Sequence, residues 1–305
     1  MAVITTGNFP KALQPVVKAW WGMDYPQHGQ EHLDLYDKTT SERAFEEYVQ
    51  ATDFMLAPVK SQGASTQYTD HAQGFTTRVT NVQYALGYIV TYEEIKNNLA
   101  MKVAKLRTQA LRFAFHTTKQ TVAANGYNRA FNSSYTFGDG KEMIATDHPN
   151  TTGGTWSNEL SPAADLSETA LEDMAIQIMG ATSDAGNQIA LKPYCLIVPR
   201  QLWFEANRIV KSVLQSGTAN NDVNVLNSTN VFPGGIKMNH YLTDADAFFI
   251  RTNLMSETGL IYQEREALSL DTDNDFDTKN FKAKGYEDYA FSVADPRAVY
   301  GSSGV

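Results

Sequence analysis

The stretch ALGYIVTYEEIKNNLAMKVAKLRTQALRFAFHTTK, residues 85–119, changes period part-way through. Up to Val90 it alternates. Val82, Tyr84, Leu86, Tyr88 and Val90 share one face of a strand, and Gln83, Ala85, Gly87 and Ile89 the other. From Thr91 the period becomes helical. Thr91 and Glu94 stand in the capping-box relation, and Glu93 and Glu94 sit at the positive end of the helix dipole. Ile95, Leu99, Val103, Leu106, Ala110, Phe113 and Thr117 recur at three- and four-residue steps, and Asn125-Gly126 offers a left-handed stop. A helix of about 32 residues is a rod roughly 48 Å long. A strand feeding directly into such a rod rules out a small compact domain and calls for a fold built along a spine.

The segment before the spine reads as a long ribbon over residues 54–90. FMLAPVK (54–60) is the outgoing strand, SQGASTQYTDHAQG (61–74) a polar tip, and 82–90 the return. Pro58 cannot donate to a ladder, which places the outgoing strand at an edge or a bulge. A two-stranded ribbon of this length is marginal alone and needs another surface to lie on. Residues 39–53 read as a short helix capped by Ser41 or Thr40, with Ala44, Phe45, Tyr48 and Val49 on its apolar side. Residues 1–38 read as an arm. Pro10, Pro15, Pro26, Gly22 and Gly29 interrupt it, and adjacent Trp20 and Trp21 cannot share one face of any element. Those rings need cover from the rest of the chain or from a neighbour.

Beyond the spine, residues 127–160 read as short strands joined by turns at Asp139-Gly140 and Gly153-Gly154. DLSETALEDMAIQIMG is a helix capped by Ser167, with Leu171, Met174, Ala175, Ile178 and Met179 inward. LKPYCLIVP is a buried strand, and PRQLWFEANRIVKSVL a helix with Pro199 near its start. This helix-strand-helix unit is an α/β layer distinct from the spine. Short strands follow to residue 270, then an acidic loop and a closing strand.

Chemistry is hard to find in this pattern. With 42% hydrophobic residues the 305-residue chain has ample material for a core, while its net charge of −9 disfavours gripping phosphate backbones. Cys195 is the only cysteine, so no internal disulfide forms, and its apolar neighbours mark it as a small buried side chain. No basic-then-apolar leader opens the sequence, and no apolar run is long enough to span a bilayer, so a soluble protein without membrane contact is expected. Phosphate-loop, dinucleotide and nucleophile-elbow patterns are missing. His28-Gly29-Gln30-Glu31-His32 matches a zinc-peptidase pattern, but Pro26 and Gly29 oppose the helix that must place both imidazoles together, and the plain reading is a solvated arm. Asp271, Asp273, Asp275 and Asp277 open like a calcium loop, yet Phe276 and Lys282 stand where glycine and glutamate belong, which favours a solvated acidic loop. His116 reads as a packing or solvent-facing residue of the spine. No enzyme is expected, and no catalytic, cofactor-binding or metal-binding residue is assigned.

The order of parts (arm, short helix, hairpin, spine helix, α/β layer, returning strand) resembles the major capsid protein of tailed bacteriophages. So do two phrases, DGKEMIATDHPN (139–150) and GNQIALKPYCLIVPRQL (186–202), which are similar to elements of the Mu-like major head subunit group. The resemblance implies an α+β chain with the Hong Kong 97-like capsid fold. Its parts would be an N-terminal arm at 1–38, a short helix of the peripheral domain at 39–53, an extended E-loop hairpin at 54–90, the peripheral domain with its spine at 91–164, an axial domain at 165–268, and a return to the peripheral domain at 269–305. It further implies self-assembly as pentamers and hexamers into an icosahedral shell around double-stranded DNA, in a virion assembled in the host bacterial cytoplasm. A separate scaffolding protein, a portal and a maturation protease would be partners. Encapsulin-type compartments share the fold and are the alternative, with a zinc-dependent hydrolase using His28, Glu31 and His32 a distant third. On this reading, deletion of Ser61–Gly74 leaves the subunit folded but blocks shell formation, and electron microscopy of the deletion variant checks it: normal particles would refute the assignment.

Overall fold

The computed structural model describes residues 17–21, 29–50, 52–69, 73–97, 100–215, 222–255 and 258–304. Two four-stranded sheets carry the fold. In the first, β1 (Asp37–Thr40) runs parallel to β10 (Leu260–Asn274), which pairs with β11 (Phe281–Val293), which pairs in turn with β4 (Val82–Val90). The long β10–β11 ribbon departs from expectation: 260–270 was read as short strands and turns. Its inner face alternates cleanly, with Phe281, Ala283 and Gly285 buried and Lys282 and Lys284 exposed. The second sheet has the order β12 (Val299–Ser302), β9 (Phe248–Thr252), β7 (Pro193–Pro199), β8 (Ile236–Asn239). Every residue of β9 is buried and all but one of β7. On β7, Cys195 and Ile197 point to one core, while Leu196 and Val198 point to another beside α5 (Glu168–Met179) and α6 (Trp203–Lys211). A strand covered on both faces needs an unbroken apolar run, which is why YCLIV reads as it does. Val299–Ser302 belongs to the second sheet, where it pairs antiparallel with β9, while β11 before it belongs to the first.

The spine is two helices. The Thr91–Glu94 capping box forms as expected and starts α3 (Tyr92–Lys96), which ends at Asn97; α4 (Ala100–Asn128) then runs for 29 residues. Arg107 joins the pieces, with its guanidinium 3.0 Å from Glu94 and 2.6 Å from the carbonyl of Ile89. The buried face of α4 is not the one the expected stripe continues from Ile95. Ala104, Thr108, Leu111, Phe115, Ala123 and Tyr127 face the core of α4, whereas Leu106 and Phe113 of the expected stripe are 59% and 46% exposed. Leu99 lies outside the described residues. The small side chains Ala104 and Thr108 let α4 lie close to the sheet, and Thr108 Oγ1 is 2.6 Å from the Tyr88 hydroxyl. Asn125-Gly126 does not stop the helix. Gly126 sits inside it because a Cβ there would lie 2.2 Å from the hydroxyl of Tyr36, whose ring is buried against Tyr127 and Phe291.

Residues 39–53 form no helix. β2 (Phe45–Val49) pairs antiparallel with β3 (Thr76–Thr80), and Ser41 accepts a bond from the amide of Arg43 instead of capping a helix. Tyr48 and Val49 are good strand formers, and the periodic signal over so short a segment fits either element. The hairpin is accordingly displaced from its expected position. Its strands are β2 and β3, not 54–60 and 82–90, and residues 54–60 belong to neither strand nor helix. Further on, the turn at Gly153-Gly154 is formed, both residues having positive φ, between β5 (His148–Pro149) and β6 (Thr155–Trp156). Helix α5 is capped by Ser167 as expected, but Met179 is exposed rather than inward. Pro199 ends β7, and α6 starts four residues later. Of the arm, residues 17–21 form the short helix α1, with Val17 buried and Trp20 packed beside Val90, Ile95 and Phe281; the remainder of the arm reading before Gly29 lies outside the described residues.

Gly126→Ala forces Tyr36 from its site. The overpacking outweighs the gain in helix propensity, and a net loss of roughly 1–2 kcal/mol is expected in urea unfolding of the unassembled subunit; unchanged stability would contradict the packing. A second expectation concerns pH. His32 sits in α2 (His32–Leu35), where its backbone amide donates to Gln120 Oε1 at 2.8 Å and the Gln120 amide donates back to His32 Nδ1 at 2.8 Å, so Nδ1 must be unprotonated. Burial, then the charges of Lys119 and His116, lower its pKa from 6.5 to about 4. The unfolded chain binds this proton first, so the native state loses up to about 3 kcal/mol from this group as pH falls from 6.5 to 4. His32→Gln flattens that part of the stability profile; an unaltered slope would argue against it.

Candidate assembly surfaces

The residues of the zinc pattern do not converge. Glu31 reaches His240, with 2.5 Å between carboxylate oxygen and Nδ1, and His32 turns inward to Gln120 and the ring of Tyr262. His28 lies outside the described residues. Two aspartates of the calcium-like loop, Asp271 and Asp275, face lysines of β11. Asp275 pairs with Lys282 at 2.6 Å and accepts the amide of Asp277, and the Lys282 contact first, then that amide, hold its carboxyl below the usual range. Asp271 faces Lys284 at 3.9 Å. Among the described residues no cluster of three or more histidine, cysteine or acidic side chains could hold a metal. Cys195 is buried as expected, and burial pushes its thiol up to about 11.

What the chain does present is apolar surface. Between the hairpin strands β2 and β3, every residue from 53 to 69 is exposed, and the only regular feature there is a turn closed by the amide of Ala64 on Ser61. Leu56 is 81%, Val59 99% and Tyr68 92% exposed, with Phe54 and Met55 beside them. Five large apolar side chains held in water on one excursion form a surface of the kind that other molecules cover. The excursion is held at its neck, where the amide of Gln50 donates to the carbonyl of Phe75 at 2.8 Å. More apolar surface flanks α6: Phe204 in its first turn is 78% exposed, and Val213, Leu214, Val223 and Val225 beyond its last turn are exposed as well. The sequence carries a signal for this surface: Trp203 and Phe204 are adjacent on a helix, about 100° apart, so a single inward stripe does not take both. The outer flank of α4, with Leu106 and Phe113, adds to it.

Residues 139–158 direct their polar side chains inward instead. His148 is buried between Asp139, 2.6 Å from Nδ1, and Asn158 Oδ1, 3.0 Å from Nε2, and its ring stacks on Trp156. Asn158 accepts from the amide of Ala145 and donates to the carbonyls of Met143, Pro296 and Val299. Arg297 covers the other face of Trp156 and pairs with buried Asp184 at 2.9 Å. The phrase DGKEMIATDHPN thus supplies a polar knot that ties residues 139–158 to the last strand.

The comparisons agree with this architecture. The profile of the family described as phage capsid protein matches residues 74–302. No curated protein matches the sequence. Among solved structures, the capsid of Myoviridae phage XM1 superposes with a TM-score of 0.55 at 10% identity, covering 93% of this chain and 94% of that one. The procapsid protein of bacteriophage JBD30 gives 0.52 at 13% identity, with 98% and 76% covered. An encapsulin from Synechococcus elongatus gives 0.51 at 10% identity, with 92% and 90% covered. At such identities the superpositions establish the fold, and the family profile over most of the chain establishes the lineage. No described helix is long and apolar enough to cross a membrane. The chain belongs to the phage capsid protein family and has the Hong Kong 97-like fold, with a structural role as the major protein of a virion shell.

Proposed function

We propose that the subunit closes pentamers and hexamers by laying the excursion of residues 52–69 on a neighbouring copy. The second sheet with α5 and α6 would act as the axial domain around the five- and six-fold axes. The first sheet with α4, on which residues 17–21 of the arm pack, would act as the peripheral domain. The observation that carries the reading is the exposure of Leu56, Val59 and Tyr68 on a segment with almost no regular structure of its own. Exposed apolar groups contribute nothing to folding, but buried between copies they stabilise each contact at about 25 cal/mol per Å² removed from water. Contacts of this kind are heterologous and close on a curved surface, so modest individual strength suffices for a stable shell. The net charge of −9 suits a lining along which packed DNA slides rather than sticks. Assembly in the host cytoplasm with a separate scaffolding protein, a portal and a maturation protease completes the proposal, and the protein has no catalytic part in it.

The encapsulin alternative rests on the shared fold and differs in contents. Particles purified from phage-producing cells are expected to hold nuclease-protected double-stranded DNA; cargo protein without DNA would support the compartment instead. The docking claim is tested by Leu56→Ser with Val59→Ser. Both side chains are exposed, so thermal unfolding of the unassembled subunit stays unchanged, while particle yield in negative stain falls at least about tenfold. Full yield would remove the excursion from the assembly surface.

A further inference from the structure

The excursion begins on a clamp made by the second layer. The Asp53 carboxylate accepts the hydroxyl of Ser183 at 2.7 Å and the side-chain amide of Asn187 at 2.6 Å, and the amide of Ala185 lies 3.4 Å away. The same Asn187 amide donates to the carbonyl of Phe54 at 2.7 Å. Ser183 and Asn187 are in turn fixed on each other: the backbone amide of Asn187 donates to Ser183 Oγ at 3.1 Å and that of Ser183 to the Asn187 carbonyl at 2.7 Å. Between them Asp184 is buried against Arg297 and accepts the hydroxyl of Thr151. The turn is therefore rigid and rooted in the polar knot of the second sheet. On the other side of the root, the side chain of buried Gln50 bonds half-buried Asp295.

Beneath this root there is a hollow. A cavity of about 320 Å³ lies between Gln50, Thr52 and Asp53 above and Ser183, Ile189 and Leu254 below. Unlike α4, which is pressed on its sheet by close packing, the root is suspended over space by polar bonds at its two sides. Bonds at so exposed a site exchange readily for water. They are too weak to hold the fold together and strong enough to choose one direction for a segment that has no other support. The cavity gives that segment room to swing when they open.

We infer that Asp53, gripped by Ser183 and Asn187, is the positioning residue that sets the direction in which the 52–69 excursion leaves the subunit, and that this clamp is a reversible strap between the excursion and the second layer. The excursion's contact with a neighbouring copy is the reading proposed above, and the strap deepens it: the partner surface is met at the angle the strap fixes. Opening the clamp frees the angle without unfolding either sheet.

The test uses the unassembled full chain with spin labels attached through Gln62→Cys, on the excursion, and Asp173→Cys, on α5; Cys195 is buried and stays unlabelled. The wild-type background is expected to give a narrow distance distribution. Asp53→Ala and Asn187→Ala, which remove the clamp from opposite sides, are expected to lose the narrow component and to speed amide exchange of residues 183–187, with thermal unfolding unchanged. Superimposable distributions in both variants would overturn the strap. Assembly is followed in parallel. A widened distribution with slowed particle formation supports both strap and docking. A widened distribution with undiminished assembly keeps the strap and overturns the docking of the excursion.

Discussion

Tyr127, near the carboxyl end of α4, packs edge-on against Phe249 of the second sheet at 5.1 Å between ring centroids and against Tyr36 at 5.7 Å, and its hydroxyl donates to the carbonyl of Leu35. Tyr36 continues to Phe291 on β11, and Phe291 stacks on Tyr262 of β10 at 4.8 Å. One aromatic seam thus fastens both sheets to the same end of the spine. Burying rings of this size dominates local energetics, and their edge-to-face geometry adds directionality that aliphatic packing lacks. The seam explains why the fold tolerates a broken spine. The junction at Asn97 needs only Arg107 to bridge it, because the position of α4 is set from its other end.

Polar groups complete the joint. Arg297, Asp184, His148, Asp139 and Asn158 are all buried or nearly so, and removing such groups from water is costly unless each is paired. Here each finds partners from distant parts of the chain, so the network makes a wrong arrangement of the last strand expensive. It orders the segment 139–158, the turn 183–187 and β12 as one body. The rigid turn that grips Asp53 is a by-product of that ordering.

Much of this was legible in the residues themselves, and the failures have physical causes. The capping box at Thr91, the Ser167 cap, the buried run of β7 and the turn at Gly153-Gly154 are local signals read by local groups, and the structure keeps them. The Gln120–His32 pair, 88 residues apart, left no trace in either stretch of sequence. Gly126 resembled a helix stop because the sequence cannot show Tyr36 lying against it. The hairpin was assigned to 54–60 because FMLAPVK is apolar, whereas β2 and β3, with Glu46, Glu47, Thr76 and Thr77, carry the actual ladder. The root of the excursion was invisible for a related reason: Asp53 meets Ser183 and Asn187 only once the second layer has folded.

The remaining errors share a direction. Leu106 and Phe113 of the expected stripe on α4 and Met179 on α5 are exposed, where periodicity points them inward. Periodicity equates an apolar side chain with the core of its own chain. That equation fails where a sequence also encodes contacts with other copies, since the same side chains then satisfy a second core that no single subunit contains. In such a chain an apolar residue is ambiguous, and a conflict between stripe and structure marks the surface the shell must cover. The excursion at 52–69 is the extreme case. It has the hydrophobic content of a strand, no ladder inside the subunit and a polar clamp at its root, and on these three features the proposed docking on a neighbouring copy rests.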